Sequence, residues 1–133
     1  MTRINSDLDP KTLKRQHLIA EYREITMVPA ALRRSLRTKS KADIIKSIPK
    51  KFTLNAGHVT FFYDKQEFLR KRFHRLCKEM NRRGYKYDPN REIPFVGFDP
   101  AFNNDWNSTP EDDNIVNERI ALRISQKPHL YKD

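Results

Sequence analysis

The chain opens MTRIN, and its first reactive group needs no side chain. Thr2 is small enough for the initiator methionine to be trimmed, which would leave a free α-amine on Thr2 with Arg3 beside it. An α-amine titrates at roughly 7.7–8.0 against ~10.4 for lysine. Near neutral pH its unprotonated share is therefore roughly several hundred times that of an unperturbed lysine. Such an amine is a ready nucleophile that needs no buried pocket to tune it. Most N-termini are frayed and inert, so this chemistry requires a partner elsewhere in the chain. The partner is sought in QHLIAEYRE, where His17, Glu21 and Glu24 are spaced to share one helical face. Arg23 and Arg34 add positive charge around that face. A carboxylate among arginines on a phosphate-facing surface is costly for binding, because phosphates repel it. The competing reading is an ordinary intrahelical ion pair worth ~0.2–0.5 kcal/mol, and spacing alone favours it.

Other chemistries find little support. His17, His58, His74 and His129 form no H-x-H, H-E-x-x-H or Cys/His pattern. Cys77 follows Leu76 inside an apolar stripe and reads as a core residue. There is no G-x-S-x-G, and three glycines leave no room for a phosphate-binding glycine loop. No metal and no cofactor are expected.

The elements that must hold these groups are helical. Over residues 11–39, Leu18, Tyr22, Ile25, Leu32 and Leu36 recur on one face, and Pro29 predicts a kink or a restart there. A second helix carries Leu69, Phe73, Leu76 and Met80 inward; Asp64 and Glu67 resemble its capping box, and Gly84 follows its end. A third starts at STPEDD, with Thr109 as cap and Pro110 in the first turn, and turns Val116, Ile120 and Ile124 inward. The stretches 40–63 and 85–108 are too long for ordinary loops, and their aromatics should pack over the helices. No alternation supports a sheet. The expected fold is all-α: a single compact domain, residues 1–133, of three main helices joined by long packed loops.

Charge then points to a partner. Residues 1–84 carry 21 lysines and arginines against 8 carboxylates, and residues 85–133 carry 6 against 9. That asymmetry suggests a polyanion-binding surface on the first two-thirds of the chain. A basic surface kept for solubility is the plainer alternative. No apolar run approaches the ~20 residues of a membrane span. The lone cysteine excludes an internal disulfide and suits a reducing compartment. A cytoplasmic protein without a membrane partner is expected.

The stretches QHLIAEYREI (residues 16–25) and NAGHVTFFYDKQEFLRKR (residues 55–72), with the MTRIN start and the RISQKPHLYK tail, are similar to the pyrimidine-dimer DNA glycosylase family, the endonuclease V enzymes of T-even bacteriophages. The similarity spans most of residues 1–83 and roughly residues 115–132. It implies an all-α DNA repair enzyme acting as a monomer, without cofactor, on double-stranded DNA that contains UV lesions or abasic sites. It implies that the Thr2 amine attacks C1′ of the damaged nucleotide's sugar, releases the base, and forms a Schiff base. It implies that Glu24 is the catalytic carboxylate, and that β-elimination (the AP lyase step) then cuts the strand. Arg3, Gln16, His17, Arg23, Arg34, Arg119 and Arg123 would face the DNA. Two departures stand out. Met27 takes the place of an arginine in the family's founding member, and Leu130 the place of a tryptophan. Two rival readings follow, a non-catalytic basic DNA-binding module and an AP lyase with another lesion preference.

Overall fold

The computed structural model of the chain describes residues 3–88, 90 and 94–131. Thr2 lies outside the described residues. Among them the regular structure is helical, with one isolated bridge between Lys65 and Asn103. The α-helices are α1 Arg15–Glu24, α2 Met27–Leu36, α3 Lys41–Ser47, α4 His58–Phe61, α5 Gln66–Arg82 and α6 Pro110–Gln126. The all-α expectation is met, and the first helical stretch divides in two. α2 restarts at Met27 and takes Pro29 in its first turn, where a missing N–H breaks no intrahelical bond. The connection 40–63 is also partly helical. Ser40 caps α3 by accepting the Asp43 N–H at 3.1 Å, and α4 follows Gly57. That glycine has φ +96°, and a Cβ there would meet Pro49 Cγ at 3.1 Å.

The Thr109 cap forms and the anticipated capping box at α5 does not, while a box that was not anticipated closes the start of α6. There Thr109 Oγ1 accepts the Asp112 N–H at 3.2 Å, and Asp112 Oδ2 accepts the Thr109 N–H at 3.0 Å. At α5, Asp64 pairs with Lys65 at 2.7 Å and Glu67 pairs with Arg70. The open Phe68 N–H of the first turn instead donates to the Asn104 carbonyl at 3.3 Å. A tertiary partner from the 85–108 stretch has taken over the work of a local cap.

α1 lies on α5 and the two stripes meet as their spacing predicts. Leu18, Tyr22 and Ile25 are buried with Leu69, Phe73, Leu76 and Met80, and the Tyr22 and Phe73 rings stack at 5.9 Å. Each such side chain contributes about 1.5–3 kcal/mol of burial free energy. Cys77 is buried among them. The long stretches cover the helices as expected. Trp106 sits among Phe52, Phe61, Phe62 and Phe68, its ring 5.0–5.9 Å from theirs. Arg33 on α2 clamps the other end of that stretch, donating to the Pro94 and Val96 carbonyls at 2.7 and 2.9 Å. No helix among the described residues is long and apolar enough to cross a membrane.

Candidate active site

The N-terminal arm, residues 3–8, is the element on which any amine chemistry depends, and its anchors include an Asp7–Arg75 ion pair and four hydrogen bonds. The Ile4 N–H donates to His58 Nε2 at 2.8 Å. The Asn5 side-chain amide donates to Glu21 Oε1 at 2.8 Å. Ser6 sits at φ 53° and its hydroxyl donates to Asp113 Oδ1 at 2.8 Å, tying the arm to α6. The Leu8 carbonyl accepts from Arg72 Nη1. An arm bonded this way pays its ordering entropy before substrate arrives.

Two of the anchors rest on groups that burial makes demanding. Arg72 and Glu21 are 0% and 1% exposed. Arg72 Nε and Nη2 reach the two Glu21 oxygens at 2.7 and 2.9 Å, the two-pronged geometry that a guanidinium offers a carboxylate. Spacing put Glu21 on an outward face with His17 and Glu24; it lines the same cavity but is a buried structural carboxylate. His58 is fixed by its other nitrogen. Nδ1 lies 2.7 Å from the Thr53 carbonyl, which can only accept, so Nδ1 carries the proton and Nε2 is the bare acceptor for Ile4.

His58 therefore holds the arm only while neutral. Burial among the Phe52 and Phe62 rings pushes its pKa below the ordinary 6.5, against the Thr53 bond and the Glu21 charge, with the Arg3 charge adding to the decrease. The folded state thus binds this proton less readily than the unfolded chain, so the contribution is present above pH 6.5 and is lost as pH falls below it. Thermal unfolding is expected to show a midpoint that drops from pH 7.5 to about 5.5, with a smaller drop in His58→Gln. The difference between the two proteins isolates His58 from Glu24, which acts in the opposite sense. Equal drops would remove His58 from the pH response.

Arg3, Asn5, His17, Glu24, Arg119 and Arg123 line one open cavity of about 310 Å³ between the arm, α1 and α6, and Gln16 lies on its wall. Arg119 and Arg123 enter together because they are one turn apart on α6. The chain's tail closes one side. Gln16 donates to the Leu130 carbonyl, and the Tyr131 ring stacks on His17 at 4.8 Å and 9°. Glu24 is raised above its ordinary 4.5 by burial, against the Arg3 charge and the Arg3 backbone N–H, which donates to its carboxylate. Arg3 is lowered by burial and by the Arg119 and Arg123 charges beside it. A half-buried carboxylate of raised basicity, facing a crowd of guanidiniums short of anions, can take up a proton and receive phosphate.

The other expected DNA-facing arginines lie elsewhere. Arg23 lines a groove with Arg15, Tyr22, Tyr85 and Lys86, and Arg34 lines another with Thr26, Arg33 and Arg37. Among the described residues, no three His, Cys, Asp or Glu side chains converge as a metal site. Sequence reasoning missed Asn5, His58 and Arg72. Arg72 left a trace: with Leu69, Phe73 and Leu76 it occupies the apolar stripe of its helix, where an unpaired charge has no place.

A model of the family described as pyrimidine dimer DNA glycosylase matches residues 1–93. The match covers the arm, α1 and α5, and ends before α6.

Proposed function

Because the chain belongs to the pyrimidine dimer DNA glycosylase family of repair enzymes, we propose that it works through an imine on the Thr2 α-amine and then cleaves the DNA strand as an AP lyase. The observation that carries this reading is that Glu24, its basicity raised by burial, shares one cavity with Arg3, Arg119 and Arg123. The amine, freed by loss of Met1, attacks C1′ as the glycosidic bond breaks and its electron pair leaves with the base. Opening of the C1′–O4′ bond then gives the iminium, with a proton delivered to O4′. The iminium acidifies C2′–H; removal of that proton expels the 3′ phosphate oxygen with its electron pair. Glu24 is the proton carrier for these transfers, and its raised basicity suits it to the task. Arg3, Arg119 and Arg123 hold phosphates, which relieves the mutual repulsion that lowers Arg3. Gln16 and His17 border the DNA, Arg23 and Arg34 extend the contact to its flanks, and the enzyme acts as a monomer.

Borohydride reduction tests this directly, because it converts an imine into a stable protein–DNA adduct. Mature protein mixed with dimer-containing or abasic duplex is expected to yield an adduct mapping to Thr2, and acetylating the N-terminus is expected to abolish it. An adduct mapping to a lysine would overturn the reading. Binding without any adduct would favour a DNA-binding module without chemistry.

A further inference from the structure

An enzyme that forms an imine with its own backbone must also hydrolyse it, and one side chain in the cavity is built for a water molecule. Asn5 is 3% exposed, and its amide orientation is forced. Its Nδ2 donates to Glu21 Oε1, and that carboxylate, gripped by Arg72, has no proton to offer in return. The amide cannot be turned over without setting oxygen against oxygen. Asn5 Oδ1 is therefore directed away from Glu21, and among the described residues it has no hydrogen-bond partner. Asn5 lines the same cavity as Glu24. A buried acceptor left open costs about 1–3 kcal/mol unless a donor meets it, and in a polar cavity that donor is water.

Resting on the imine reading above, we propose that Asn5 Oδ1 and the Glu24 carboxylate together hold the water that hydrolyses the enzyme–DNA imine. A water that donates one hydrogen to each acceptor presents a lone pair to C1′. Its oxygen bonds to C1′, the C1′–N π pair moves onto nitrogen, and one water proton passes to Glu24. Glu24 returns that proton to the amine nitrogen. The C1′–N bond then breaks with its pair on nitrogen as the new hydroxyl becomes the aldehyde carbonyl. The hydroxyl proton ends on Glu24, which leaves a free amine. Asn5 neither gives nor takes a proton; it sets where the water stands.

The test follows the imine after it has formed. Labelled abasic duplex is bound, excess unlabelled duplex is added, and samples are reduced with borohydride over time. In Asn5→Leu, which keeps similar volume and removes the acceptor, the adduct is expected to accumulate and to decay about tenfold more slowly than in the wild type. Decay at the wild-type rate, or a folded variant that forms no adduct, overturns the role of Asn5. A crystal structure of the unmodified protein at a resolution that shows waters gives a second reading, independent of how the variant folds. An ordered water within hydrogen-bond distance of Asn5 Oδ1 supports the proposal, and an Oδ1 without one overturns it. Absence of any adduct from the wild type would instead defeat the imine reading itself, so the two failures are distinct.

Discussion

Replacing Glu24 by glutamine is expected to lower base release by about 10²–10⁴-fold, the usual contribution of a positioned acid–base group. Duplex binding should hold or tighten, because a negative charge that faces phosphates is removed. The change is close to isosteric, and Glu24 is the last residue of α1, so the helix tolerates it. Single-turnover excision from a dimer-containing duplex, with binding measured in parallel, separates the two effects. Turnover near the wild-type rate would return Glu24 to an intrahelical ion-pair role. The raised pKa adds a second expectation: the pH at which wild-type activity falls off on the acid side should lie above the ordinary carboxyl value of 4.5.

The largest stability effect is expected at Arg72. In Arg72→Met the Glu21 carboxylate stays buried with the Asn5 amide as its remaining donor, and the Leu8 carbonyl loses Arg72. Removing one partner of a buried ion pair typically costs about 3–5 kcal/mol, because the other charge is stranded. Removing both is far milder, so Glu21→Leu with Arg72→Met should recover much of the loss. Urea denaturation of the wild type and the two variants gives the comparison. A loss under about 1 kcal/mol in the single variant would mean that water reaches the pair and shields it. Because Glu21 also fixes Asn5, the double variant should recover stability without recovering activity.

Much was legible in the chain because periodicity is a local property. The stripe Leu69–Phe73–Leu76–Met80 and the Thr109–Pro110 start each lie within a few turns, and each formed as read. So did the break near Pro29, since a proline's missing N–H acts on its own turn. The cap of α5 was misread because Asn104, far along the chain, competes with Asp64 for the same first turn. No local rule anticipates that competitor.

At the site the division is sharper. The sequence by itself determined which reactive types are present: an α-amine near its neutral range, the Glu24 carboxylate one turn beyond Glu21, and two arginines a turn apart at Arg119 and Arg123. It also placed Arg72 on the apolar stripe of its helix, whereas spacing set Glu21 on an outward face with His17 and Glu24. Only the tertiary structure decided that these charges meet, because pairing across 51 residues depends on how α1 crosses α5. It alone fixed the Asn5 amide against Glu21, made His58 the acceptor for Ile4, and separated Arg23 and Arg34 from Arg3, Arg119 and Arg123. A hydrogen bond fixes a proton's place only when both partners are known, and the arm's partners come from α1, α4, α5 and α6.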